Sequence, residues 1–139
     1  MSEESAFSEE EMSELKTAFF HEAYEIFQSL EQETANLEGG REPKVALATI
    51  KRHYHTIKGN SQSMGFSSLH SVTLKAESLL AKVLERSSLV EQDLIALLRT
   101  INAALRRYAD GYQSGYDVPL DGELVHNIEE RLDMISGGE

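Results

Sequence analysis

The sequence predicts an all-α domain, an antiparallel up-and-down four-helix bundle with an additional C-terminal fifth helix. Apolar residues recur at alternating spacings of three and four in five segments, which is the pattern of helices that bury one face. We find no convincing strand. Connections of two to four residues join the first four segments, and such short links favour antiparallel neighbours.

The first predicted helix covers residues 8–38. Ser8 and Glu11 form a capping-box pattern at its start, and two glycines follow its end. Phe20 lies off its main apolar stripe, so we expect it in an exposed hydrophobic rim. The stripe itself contains Met12, Leu15, Phe19, Ala23, Phe27, Leu30 and Leu37.

The other four predicted helices cover residues 43–64, 67–86, 89–110 and 121–136. Pro43 suits the first turn of the second helix. Ser88 and Glu91 form another capping-box pattern at the start of the fourth. Asp121 is expected to cap the fifth helix. The whole chain, residues 1–139, is therefore expected to be one domain.

The composition indicates the cellular compartment of the protein and excludes some kinds of metal site. The chain has no cysteine, which excludes disulfides and thiolate metal sites and fits a reducing compartment. No apolar run approaches the roughly eighteen residues that a membrane span needs, and the acidic N-terminus does not resemble a secretion signal. We therefore expect a cytoplasmic protein that does not bind membranes.

The net charge of −11 is unevenly distributed. Residues 1–40 carry eleven acidic groups and one lysine, whereas residues 41–107 carry eleven basic and five acidic groups. The overall acidity argues against a nucleic-acid partner. The basic middle segment includes Lys51, Arg52 and Lys58. It is either an ordinary solvated helix face or a surface that attracts a small anionic group or an acidic partner protein.

His55 is the most informative residue, because it lies one helical turn before Lys58 and Gly59. At 100° per residue, His55 lies roughly 130° and Gly59 roughly 170° from the centre of the apolar stripe of the second helix. We therefore expect the imidazole in solvent. A glycine on the same exposed face weakens the helix by about 1 kcal/mol relative to alanine, which suggests that another protein approaches this surface closely.

A metal site and a hydrolytic site are both disfavoured. His53 and His55 point roughly 200° apart on a helix, so they do not chelate one ion. Glu123 and His126 form a single Glu-x-x-His unit, whereas a di-iron bundle needs two. The sequence also lacks nucleophile-elbow, P-loop and dinucleotide-binding motifs. We expect no metal and no ATP-binding domain in this chain.

Residues 55–66 (HTIKGNSQSMGF) resemble the signature of histidine-containing phosphotransfer (HPt) domains, H-x-[IL]-K-G-x-[AS]-x-x-x-G-[FL]. Glu77 stands where the family commonly places an acidic residue. Residues 19–23 (FFHEA) resemble the opening of the N-terminal phosphotransfer domains of CheA-type chemotaxis histidine kinases. The resemblance spans residues 14–135.

The resemblance implies that His55 accepts a phosphoryl group from an ATP-dependent histidine kinase domain, in the same chain or another. It would then pass the group to an aspartate of a response-regulator receiver domain. The family uses a carboxylate of the third helix, here Glu77, to bind Nδ1–H and leave Nε2 as the nucleophile. Lys58 would stabilise the phosphoryl charge. ATP and Mg²⁺ would belong to the partners, so this chain would be a carrier rather than an independent enzyme.

The expected docking surface is the exposed face of the first two helices around His55, and the domain itself is expected to be monomeric. It includes Phe20, Lys51, Gly59 and Gln62. The family's second histidine, three residues before the carboxylate, is replaced by Leu74, which we expect to be exposed.

The alternative function is a non-catalytic helical adaptor with the same fold. An inactive relative is expected to lack the histidine or the Lys-Gly pair that follows it. This chain keeps His55, Lys58 and Gly59, and the motif therefore favours phosphotransfer.

Overall fold

The computed structural model describes residues 7–86 and 90–137, the last two by their backbone alone. Within these ranges the chain forms five α-helices and no strand, which confirms the predicted all-α class. None of the described helices is both long and apolar enough to cross a membrane. The helices are α1 (Glu9–Glu38), α2 (Pro43–Met64), α3 (Ser67–Arg86), α4 (Gln92–Gln113) and α5 (Gly122–Gly137).

The predicted capping box at the start of α1 is present. The Glu11 amide donates to Ser8 Oγ at 3.0 Å, and the Ser8 amide donates to Glu11 Oε1 at 2.9 Å.

The prediction that Leu15 faces the core was wrong, because its side chain is 40% exposed. With 30 residues against 22 in α2, α1 is about 12 Å longer. Its first turns extend beyond the bundle, and its first buried residue is Phe19.

The prediction that Phe20 belongs to an exposed rim was also wrong, since it is only 6% exposed. Its ring stacks on Phe66 with the centroids 5.6 Å apart, and Phe66 stacks on Tyr112 at 4.4 Å. The α2–α3 turn and the end of α4 thus cover a second side of α1. The apolar periodicity of α1 alone does not predict this contact, because the covering residues belong to other segments.

The fourth helix lies about three residues later than predicted. It begins after Glu91, whose side chain makes no capping bond; the predicted cap Ser88 lies outside the described residues. At the other end α4 continues through Gly111, where a Cβ atom would lie 2.1 Å from Val118 Cγ2. The returning loop therefore requires glycine inside the helix.

Asp121 caps α5 as predicted, accepting bonds from two backbone amides at 3.1 Å.

The first four helices pack around one core, with α5 against α3 and α4. Ser29 of α1 bonds His53 of α2, and Glu22 of α1 bonds Asn60 of α2. These pairs run in opposite order along the two helices, so α1 and α2 are antiparallel. Side chains at 0% exposure fill the centre: Leu30, Ile50, Tyr54, Leu69, Val72, Leu79, Leu80, Leu98, Ile101 and Leu105.

A buried polar chain fixes the register of three helices. The Tyr54 hydroxyl donates to Asn102 Oδ1 at 2.7 Å, and Asn102 Nδ2 donates to Thr34 Oγ1 at 3.1 Å. Thr34 in turn donates to a backbone carbonyl within α1. Because an unpaired buried polar group is unfavourable, sliding α2 along α4 is opposed by loss of the Tyr54–Asn102 bond, and sliding α4 along α1 by loss of the Asn102–Thr34 bond. The residue that follows Tyr54 is His55.

Candidate active site

The local structure of α2 places His55 on the outer face of the bundle. Tyr54 and Ile57 are 0% and 1% exposed, and they anchor α2 in the core on either side of His55. The His55 side chain itself is 65% exposed. The predicted solvent-facing imidazole is therefore present.

The turn between α2 and α3 brings Glu77 level with His55. Gly65 ends α2 in the left-handed region at φ 77°, where glycine is favoured. The Phe66 amide then bonds the Ser61 carbonyl at 2.9 Å, and α3 returns along α2. At 1.5 Å per residue, His55 and Glu77 both lie roughly 15 Å from this turn.

The Glu77 carboxylate contacts one nitrogen of the imidazole. Oε2 of Glu77 lies 2.9 Å from Nδ1 of His55. Since a carboxylate accepts hydrogen bonds, this contact assigns the proton of the neutral ring to Nδ1 and the free lone pair to Nε2. An exposed ring with one nitrogen anchored is equipped to act as a nucleophile through the other.

Lys58 binds the second oxygen of the same carboxylate. Its Nζ lies 2.7 Å from Glu77 Oε1, and the two side chains are 23% and 17% exposed. Partial burial raises the pKa of the Glu77 carboxyl, but hydrogen bonds and charge from Lys58 and His55 outweigh it and hold the pKa below its usual value. Glu77 is thus held in its ionised form. The Lys58–Glu77 pair was not predicted from the sequence, because it depends on the register of α3 against α2.

Gly59 lies on the exposed face of α2, one turn after His55. A Cβ atom added there would meet no other atom within 4 Å, and the α2 backbone stays helical through this position. The packing of the domain itself therefore does not require glycine. Gln62 is also exposed on this face, while Lys51 is half-buried.

Leu74 lies on α3 one turn before Glu77, and its side chain is 44% exposed, as predicted. The one histidine of α3, His70, lies a further turn away and contacts the Lys58 carbonyl through Nδ1 at 3.2 Å. No second histidine therefore stands beside Glu77 on this helix. The carboxylate is shared by His55 and Lys58 alone among the described side chains.

The remaining histidines do not assemble a metal site with His55. His53 Nε2 lies 2.9 Å from Ser29 Oγ on α1, whereas His55 faces α3, so the two rings diverge as their spacing predicted. Across residues 7–86 and 90–137, no group of three or more histidine, aspartate or glutamate side chains has the arrangement to hold a metal ion.

Comparison with known proteins agrees with this geometry. The family model of the Hpt domain matches residues 14–108. The chain belongs to the histidine-containing phosphotransfer (Hpt) domain family. An Hpt domain is a phosphotransfer module of two-component signalling, and the matched range includes His55, Lys58 and Glu77.

A curated protein is similar over almost the whole of this chain. The chain is 27% identical over 130 residues to the Chemotaxis protein CheA of Salmonella typhimurium. The match covers 93% of this chain but only 19% of that protein. The chain thus spans about a fifth of the length of the relative.

Proposed function

We propose that His55 accepts a phosphoryl group from an ATP-dependent histidine kinase domain and passes it to an aspartate of a response-regulator receiver domain. The observation that carries the proposal is the exposed imidazole whose Nδ1 lies 2.9 Å from Glu77. Similarity to the chemotaxis protein CheA supports chemotaxis as the signalling setting.

In the first step the Nε2 lone pair attacks the γ-phosphorus of ATP bound to the kinase. The Nε2–P bond forms, the bond between phosphorus and the bridging oxygen breaks, and ADP leaves. The attack places positive charge on the ring, and the ionised Glu77 carboxylate at Nδ1 offsets it. ATP and its Mg²⁺ are contributed by the kinase.

In the second step an aspartate oxygen of the receiver attacks the same phosphorus. The Nε2–P bond breaks, its electron pair returns to the imidazole, and an acyl phosphate forms on the receiver. Lys58 holds the Glu77 carboxylate at 2.7 Å and so keeps it in place against Nδ1 during both steps. Gly59, Gln62 and Lys51 form the proposed docking surface.

Phe20 is not part of this docking surface, because it is 6% exposed and its ring stacks on Phe66. The surface is therefore built from the outer face of α2 rather than from an apolar rim on α1. Gly59 gives it a backbone against which either partner can pack closely.

The proposal is tested by incubating the domain with a CheA-type kinase domain and radiolabelled ATP, then adding a receiver domain. We expect an acid-labile, base-stable label that is absent from His55→Gln and moves to the receiver. His21→Gln is the matched control, because His21 is an exposed histidine on α1 that pairs with Glu25 of the same helix. A label that persists in His55→Gln contradicts the proposal. No label with any competent kinase favours the helical adaptor.

A further inference from the structure

An open cavity of about 380 Å³ lies between α2 and α3 beside His55. Ala48 and Leu84 form its apolar walls, and Lys51, Arg52, His55 and Glu77 complete the lining. Because a water molecule occupies about 30 Å³ in the liquid, the cavity has room for a phosphoryl group together with its first waters.

The direction of helical side chains places the imidazole over this cavity. In an α-helix the Cα–Cβ bond tilts toward the N-terminus, so a side chain covers the turn before its own Cα. For His55 that turn contains Lys51 and Arg52. Since Nδ1 contacts Glu77, a group bonded to Nε2 lies on the other side of the ring from that contact.

The distribution of charge around the ring is unequal. Lys58 is already paired with Glu77 at 2.7 Å. Within the described part of the chain, neither Lys51 nor Arg52 forms a salt bridge, although both line the cavity. The positive charge that no carboxylate neutralises therefore lies on the N-terminal side of His55.

We propose that this cavity holds the phosphoryl group carried by Nε2, with Lys51 and Arg52 as its counter-charges. Lys58 mainly holds Glu77 in place. This inference rests on the proposed function and adds where the phosphoryl group lies and which cations bind it. The charged groups that face it are Lys51 and Arg52 of α2 and Glu77 of α3, with Lys58 behind Glu77.

The test loads His55 chemically, so that it does not depend on any kinase. Potassium phosphoramidate donates the phosphoryl group: its P–N bond breaks, the P–Nε2 bond forms, and ammonia leaves. The ³¹P NMR signal absent from His55→Gln identifies phosphorylated His55. The pH titration of that signal gives the second pKa of the phosphoryl group, which is near 6 for an ordinary phosphate ester and falls when cations lie close.

We expect Lys51→Gln and Arg52→Gln each to raise this phosphoryl pKa by roughly half a pH unit, as expected for a unit charge a few ångströms away in a solvated site. Lys51→Arg and Arg52→Lys keep the charge and should leave it unchanged. Lys44→Gln is the matched control, because Lys44 is exposed on α2 about 16 Å from His55 along the helix axis.

Three results would overturn the proposal. The first is a titration in Lys51→Gln and Arg52→Gln that matches the Lys44→Gln control. The second is a pKa that rises only in Lys58→Gln, which would place the group on the other side of the ring. The third is failure of phosphoramidate to label His55, because an open cationic cavity should admit this small anion. Failure of the proposed function is separate, since it appears only with the kinase and the receiver.

Discussion

Nδ1 of His55 lies 2.9 Å from Oε2 of Glu77, across the groove between α2 and α3. The carboxylate comes from a different helix and is itself bound by Lys58 at 2.7 Å. Because Glu77 is anchored by its own helix and by Lys58, the imidazole keeps its orientation while the ring stays exposed to solvent. The proposed chemistry of His55 therefore depends on how α2 and α3 pack against each other.

Removing the Glu77 carboxylate should slow phosphorylation of His55. Glu77→Ala removes both the hydrogen bond and the charge, and a hydrogen bond to a charged group contributes about 1.5–3 kcal/mol. We expect a roughly tenfold to hundredfold lower rate. Glu77→Gln keeps an acceptor for Nδ1–H and should lie between Glu77→Ala and the wild type. Initial rates of labelling by the kinase measure the effect.

Glu85→Gln is the control for this series, because Glu85 is an exposed carboxylate of α3 that pairs with Lys82 at 3.9 Å. Its labelling rate should equal that of the wild type. Equal rates in Glu77→Ala and Glu85→Gln would show that Glu77 does not position the ring.

Substitution of Gly59 should separate stability from function. Gly59→Ala places a methyl group in open space on an exposed helix face, so the free energy of unfolding should rise by about 1 kcal/mol. Phosphotransfer should fall, because a partner that packs on the bare backbone meets the new methyl group. Urea unfolding and receiver transfer rates measure the two effects. Ser63→Ala, one turn further along α2, is the control; unchanged transfer in Gly59→Ala would remove Gly59 from the docking surface.

The buried polar chain should contribute strongly to stability. Tyr54→Phe leaves Asn102 Oδ1 without its donor in a site where Tyr54 is 0% exposed, and an unpaired buried group costs about 1–3 kcal/mol. Tyr24→Phe is the comparison, because Tyr24 donates to the exposed Asp110. We expect Tyr24→Phe to lose clearly less free energy of unfolding than Tyr54→Phe. Urea denaturation of both variants checks the order, and a reversed order would contradict the assigned role of Tyr54.

His53 should make the domain less stable in mild acid. Burial of the ring, together with the charge of Arg52, lowers the pKa of His53 from its usual 6.5, although Glu33 opposes the shift. Between that lowered pKa and 6.5 the unfolded chain binds more protons than the folded one, so stability falls as the pH drops through this window. His53→Gln should therefore lose less stability than the wild type between pH 8 and pH 5.5, as measured by urea unfolding.

His126→Gln is the control for the pH series, because His126 is an exposed histidine of α5. Its stability should follow the wild-type curve. If His53→Gln follows that same curve, the burial of His53 has no part in the acid response.

The elements with strong local signals could be predicted from the sequence. The first three helices match their predicted bounds within one residue, because a capping box, Pro43 and Gly65 mark their ends. The exposure of His55 and Leu74 followed from helical periodicity alone, since each lies opposite a continuous apolar stripe.

Contacts between distant segments could not be predicted in this way. Phe20 is buried because Phe66 and Tyr112 cover it, and no periodicity within α1 encodes those rings. Gly111 lies inside α4 although glycine usually suggests a helix end, and its reason is the close approach of Val118, which leaves no room for a Cβ atom. The pairing of Lys58 with Glu77 likewise depends on the register of two helices, which sequence spacing alone does not give.

The most direct test of the central claim is the identity of the phosphorylated nitrogen. The ¹⁵N-labelled domain, phosphorylated by the kinase, is examined by NMR for coupling between ³¹P and the imidazole nitrogens. We predict coupling to Nε2 of His55, with Nδ1 still protonated and bonded to Glu77. Coupling to Nδ1 of His55, or to any nitrogen of another histidine, would contradict the account.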